Sequence, residues 1–151
     1  MKKCLNYGKV KSRGTRPEKA VRKILRALHV KYRLNVSGMP GTPDIVIDTH
    51  RTVVFVHGCF WHGHGCANFA MPVVNRAEWS RNIDTNIKRD ARACLALRKA
   101  GWMILIVWEC EVSQSPELVA ARLSKILGMD RDPRKKLPER WGKKTWSMRR
   151  I

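Results

Sequence analysis

Apolar and polar residues alternate along this chain in two rhythms. Ala20, Val21, Ile24, Leu25 and Leu28 recur at helical spacing behind Thr15-Arg-Pro-Glu18, a capping box with Pro just inside the first turn. A helix ending near His29 is predicted. "VKYRLNV", 30–36, reads as a short strand, and "SGMPGTP", 37–43, is dense in turn residues. "DIVID", 44–48, and the β-branched run "TVVFV", 52–56, read as strands joined by a turn over 48–51. A loop from Gly58 to about Val74 follows. A long helix is predicted over Glu78–Ala100, with Trp79, Ile83, Ile87, Ala91, Cys94 and Leu95 or Leu97 on its apolar face and Gly101 as its stop. "WMILIVW", 102–108, is continuously apolar, as a central strand should be. A second amphipathic helix spans Pro116–Leu127 and is closed by Gly128.

The order α-β-β-β-α-β-α makes strand 52–56, the long helix and strand 102–108 a βαβ unit. Such crossovers join parallel strands, so both strands end at one edge of the sheet. His57 and Cys59 follow one strand end, and Glu109 and Cys110 follow the other.

That edge carries candidate chemistry. "VHGCFWHGHGC", 56–66, holds three histidines and two cysteines. Cys59, His64, Cys66 and Cys110 form a Cys₃His set, which prefers zinc. With four protein donors the site would be structural, pinning a loop that contains Gly58, Gly63 and Gly65. Cys94 reads as core and Cys4 as a free thiol. His57 and His62 are left over, on a loop the metal would hold rigid. Asp44 starts the neighbouring strand and could share a Mg²⁺ with a group at the end of strand 52–56. This arrangement resembles the PD-(D/E)xK nuclease core, although the strand that should read "ExK" reads "VFVH".

Charge narrows the class of partner. The 151 residues include 31 Lys and Arg against 12 Asp and Glu, a net charge of +19. Residues 1–16 hold six basic residues and no acid; residues 129–151 hold nine basic and three acidic. Such a field favours a polyanion, nucleic acid first and an anionic membrane surface second. No apolar run is long enough to cross a bilayer, and "MKKCLNYGKV" lacks the apolar core of a secretory signal. Five cysteines, an odd number, fit a disulfide framework poorly. A reducing, cytoplasmic setting of bacterial or phage type is expected.

"RPEKAVRKIL", "YRLNVSGMPGTPDIVI", "FVHGCFWHGHGC", "RAEWSRNIDTNIKRD" and "GWMILIVWEC" together resemble the very-short-patch repair (Vsr) DNA mismatch endonucleases. The likeness runs in order over roughly residues 6–112. It implies an α/β fold with a PD-(D/E)xK-like core, a mixed central sheet flanked by helices and a structural zinc. It further implies Mg²⁺-dependent nicking of double-stranded DNA 5′ of the thymine in a T:G mismatch. Carried onto this sequence, it makes Asp44 the direct Mg²⁺ ligand and His62 the general base. His57 would assist at the phosphate, Glu18 would lie near the metal through water, and Asp90 would orient a histidine. Val56 stands where the family often has Thr, and its backbone carbonyl could still meet the metal. Phe60, Trp61 and Trp79 match an aromatic wedge inserted beside the mismatch, though Trp79 also suits a plain core position. Asn86 lies on the same helix face as Asp90.

Three segments are therefore expected: a basic DNA-contacting arm over 1–16, with Lys9, Lys11 and Arg13; the endonuclease domain over 17–128; and a basic tail over 129–151. The tail's Lys135, Lys136, Lys143, Lys144, Arg149 and Arg150 would touch phosphates, while Trp141 and Trp146 receive no role. A monomer is expected, with mismatch-repair proteins as possible partners. Two alternatives stand beside this reading. One is a related homing or restriction-type endonuclease cutting an intact site; the other is a non-catalytic, zinc-stabilised DNA-binding protein.

Overall fold

The computed structural model describes residues 13–129. Lys9, Lys11 and Cys4 of the expected arm, and the basic and Trp residues of the expected tail, lie outside the described residues. The elements are α1 (Arg16–Ala27), β1 (Arg33–Leu34), β2 (Ile45–Ile47), β3 (Thr52–His57), α2 (Arg76–Lys99), β4 (Met103–Trp108), α3 (Glu109–Gln114) and α4 (Pro116–Ile126). No described helix is long and apolar enough to cross a membrane.

A mixed four-stranded sheet runs β1-β2-β3-β4. The first three strands pair antiparallel and β3 pairs parallel with β4. The crossover through α2 is what makes the last pairing parallel. Alternate side chains of the strands feed two cores. Ile45, Ile47, Val54, Leu105 and Val107 pack with the apolar faces of α1, α3 and α4. Val46, Val53 and Phe55 pack with Cys94 and Leu97 of α2. The sheet is thus covered on both faces, and that explains why its sequences lack polar alternation.

Helix α1 begins as its sequence dictates. The Thr15 hydroxyl and the Glu18 carboxylate close the capping box. At the far end of α2, Gly101 takes φ +79°. Arg51 donates to the carbonyls of Ala100 and Gly101 and lies 5.2 Å over the Trp102 ring. One side chain thereby satisfies carbonyls that a helix end leaves open and ties that end to the start of β3.

Four details differ from the sequence pattern. The strand expected over 30–36 is only two residues long; Val30, Tyr32 and Val36 pack against the cores from irregular backbone. Residues 109–114 form a short helix that the pattern did not predict. On α2 the buried residues are Ile83, Ala93, Cys94 and Leu97, whereas Ile87 and Leu95 are exposed and Ala91 faces solvent. Met129, placed in the expected tail, is buried in the first core, so the core continues one residue past the expected boundary.

The loop 35–44 leads into β2 and rests on α2 at one point. Gly41 has φ +74°, and a Cβ there would sit 2.7 Å from the Ala93 Cβ and 3.3 Å from the Phe55 ring. Gly41→Ala should therefore destabilise the protein by about 1–3 kcal/mol through backbone strain and overpacking. Urea denaturation checks this; an unchanged midpoint would show that the loop yields without cost.

Candidate active site and metal centre

The β3–β4 register places His57 opposite Trp108. Two residues beyond each lie Cys59 and Cys110. After Cys59 the chain coils tightly: His62 N–H bonds to the Gly58 carbonyl, His64 N–H to that of Cys59 and Cys66 N–H to that of His64. Gly63, at φ +63°, lets this turn lie against α2, since a Cβ would meet Ile83 and Ile87 at 3.0 and 3.1 Å.

This winding brings one ligand atom each of Cys59, His64, Cys66 and Cys110 within 4.8 Å of one another. The Cys110 sulfur is 3.5 Å from His64 Nδ1. The His64 ring stacks on Trp108 at 4.1 Å and 7°, which fixes its direction. Burial pushes the Cys59 thiol up to about 12 and raises Cys110. Burial would also raise Cys66, but backbone N–H groups of Asn68 and Phe69 and the neighbouring thiols hold it below the usual range. Three sulfurs and one imidazole at this spacing suit a tetrahedral soft or borderline cation, so the cluster can bind a metal. Cys94 lies apart, in the second core.

A second cluster sits beside it. The His57 and His62 rings stack in parallel, 3.8 Å apart at 5°. His62 Nδ1 is 2.5 Å from Asp90 Oδ2. Asp90 comes from α2; burial acts to raise its carboxyl, but the hydrogen bond and charge of His62, with His57 and Arg89, together hold it below the usual range. His57 is buried beneath the stack; burial first, then the His62 charge, pushes it down to about 4. It is therefore neutral at pH 7. Asn86, one turn before Asp90, donates to the Trp61 carbonyl at 3.0 Å, tying the loop to α2.

Asp44 lies immediately before β2. The Val56 N–H donates to its Oδ2 at 2.7 Å, so the recorded contact with Val56 is through the amide nitrogen. Burial raises the Asp44 carboxyl to about 6 despite that bond, and nearby Glu18 adds to the shift. Glu18 is fully buried. One oxygen accepts from the Gly14 N–H and Arg22; the other accepts from the Thr15 N–H and hydroxyl. Its carboxylate is thus committed to holding the start of α1 and the segment entering it.

Asp44, His57, His62, Asp90 and Glu18 all line one cleft of about 1050 Å³, with Arg13 at its edge. Residues far apart in sequence converge there. Phe60, Trp61 and Trp79 form an edge-to-face cluster with centroids 5.2–5.9 Å apart; of the three, Trp61 lines the cleft. Trp79 is partly buried and packs edge-to-face on Phe60 and Trp61. Phe69 extends the cluster against Phe60 and was not singled out from the sequence. Nor were Arg22 and Arg89. Arg22 could have been found from its i+4 spacing to Glu18, and Arg89 from its adjacency to Asp90.

The Asp44 shift has a measurable sign. Its folded value, about 6, exceeds the unfolded value of about 3.9. Its stabilising contribution is present below pH 4 and is lost as pH rises through 6. Without magnesium, Asp44→Asn should therefore be more stable than the parent at pH 7.5, by up to about 2–3 kcal/mol, and the gap should close by pH 4. Thermal melts at the two pH values measure it; a less stable Asn variant at pH 7.5 would contradict the desolvated carboxylate.

The model of the family described as DNA mismatch endonuclease Vsr matches residues 1–68. The type II nicking enzyme V.XorIIP of Xanthomonas oryzae pv. oryzae is 48% identical over 118 residues, covering 78% of this chain and 86% of that protein. The DNA mismatch endonuclease Vsr of Escherichia coli K12 is 36% identical over 122 residues, 81% of this chain and 78% of its own length. The type II nicking enzyme V.NmeAIP of Neisseria meningitidis is 39% identical over 119 residues, 79% and 84% of the two chains. The family model runs through α1, β1, β2, β3 and the loop as far as Cys66, and with 36% identity to the Escherichia coli protein over 81% of this chain the chain belongs to the DNA mismatch endonuclease Vsr family.

Proposed function

We propose that this protein is a Mg²⁺-dependent endonuclease that nicks one DNA strand 5′ of the thymine in a T:G mismatch, on a PD-(D/E)xK-like core. The observation that carries the reading is the convergence of Asp44 and the His62–Asp90 pair on one cleft. A zinc-stabilised binding protein has no need of a desolvated carboxylate beside an oriented histidine. Asp44 fits a hard cation because its charge is buried near that of Glu18 and repaid by one amide. Asp44, with the Val56 carbonyl, would hold Mg²⁺. When bound, the ion supplies charge neutralisation at the scissile phosphate.

The remaining chemistry belongs to the chain. Asp90 at Nδ1 fixes the His62 tautomer, so Nε2 keeps a lone pair to take a proton from the attacking water. Neutral His57, stacked under His62, holds that ring in plane and can donate one hydrogen bond toward the phosphate. Cys59, His64, Cys66 and Cys110 would hold zinc, which would fix the loop that carries His62 beyond His57 at the end of β3. Phe60, Trp61 and Trp79 serve as the wedge, since an already mispaired step is cheaper to unstack. The basic arm over 1–16 and the tail over 129–151 add phosphate contacts in a bacterial-type cytoplasm. The name "nicking enzyme" on similar proteins agrees with a single-strand cut; a matched duplex tests the intact-site alternative.

With Mg²⁺, the protein should nick a T:G duplex 5′ of the thymine and spare the T:A control, read on a denaturing gel. Asp44→Ala and His62→Ala should each lower the rate at least about 100-fold while zinc content stays constant. Equal cutting of both duplexes would favour the intact-site reading, and no cutting at all would remove the enzyme. Cys110→Ser should lower zinc occupancy and melting temperature together; full zinc content by elemental analysis would take Cys110 out of the site.

A further inference from the structure

Helix α2 has a second face that the cleft does not use. Asn86, Arg89 and Asp90 line the cleft. At about 100° per residue, Arg81, Lys88, Arg92 and Lys99 fall within about 40° of one another, and about 120–160° round the helix from Asn86. All four are exposed. None lines the cleft, and among the described residues none forms an ion pair. Thr85 and Ala96 complete the row without charge. Glu78 and Asp84 flank its first turns unpaired, and the next acid, Asp90, faces His62.

From Arg81 to Lys99 the row rises about 27 Å at 1.5 Å per residue. Helix formation does not ask for it: Gln would serve as well as Lys or Arg, and Lys88 and Arg92, four apart, repel each other. What repays such a row is an extended polyanion. Duplex DNA offers about one charge per 1.7 Å of axis. A membrane surface fits less well, because a lipid-binding helix turns an apolar face to the bilayer and that of α2 is spent on the sheet, with Leu95 alone exposed near the row.

We propose that the outer row of α2, Arg81, Lys88, Arg92 and Lys99, binds a second segment of duplex DNA while the cleft holds the first. This rests on the reading of the cleft as a DNA site. It would let the protein pass directly from one segment to another without release.

The test uses the full chain and Arg81→Gln/Lys88→Gln/Arg92→Gln/Lys99→Gln in one variant. Two duplexes with different dyes, one T:G and one matched, are mixed with protein in low salt, and energy transfer between them is read. The parent should bridge the two duplexes, and the variant should lose bridging yet nick a short T:G duplex within about twofold of the parent rate. Raising salt from 50 to 200 mM should weaken second-duplex binding to the parent about 100-fold, as four phosphate contacts require. Undiminished bridging by the variant, or a parent that never holds two duplexes, overturns the proposal. So does row-dependent binding to phosphatidylglycerol vesicles without bridging. Failure of the cleft reading looks different: nicking is absent in both proteins, whatever the bridging signal does.

Discussion

The parallel pairing of β3 with β4 is the constraint on which the site depends. It sets His57 against Trp108 and so brings two strand ends, separated by the whole of α2, to one point. Every donor in both clusters except Asp90 lies at one of those ends or on the loop that follows it, no farther than Cys66. Asp90 arrives on the crossover helix that makes the pairing parallel in the first place. Topology, loop and helix are therefore one device, and the covered sheet beneath gives it a rigid base.

Much of this follows from the sequence by simple physics. The capping box at Thr15 specifies a helix start because its two side-chain bonds are local. Runs such as "TVVFV" and "WMILIVW" read as buried strands because no polar alternation interrupts them. The sorting of Cys59, His64, Cys66 and Cys110 from His57 and His62 needed only ligand chemistry and the crossover rule.

The rest was hidden for equally physical reasons. Helix α3 begins where β4 ends, and six residues are too few to show a period. The apolar stripe of α2 was misplaced because its cleft-facing positions carry Asn86 and Asp90, polar residues on a buried row. A helical row that reads Ile83, Asn86, Asp90, Ala93, Leu97 breaks the pattern where the site needs it broken. The bond that Glu18 accepts from the Gly14 N–H was also out of reach, since the sequence does not show how the segment before α1 turns. The buried Glu18 carboxylate lines the same cleft as Asp44 and helps to raise that carboxyl.

Trp108 stands where the two clusters meet. One face of its indole supports His64 at 4.1 Å, and its ring lies edge-on to His57 at 5.4 Å. It is a common bearing: a side chain of another shape at this position would tilt both imidazoles at once. The Cys₃His cluster and the stacked pair of His57 and His62 consequently cannot drift apart by single substitutions there.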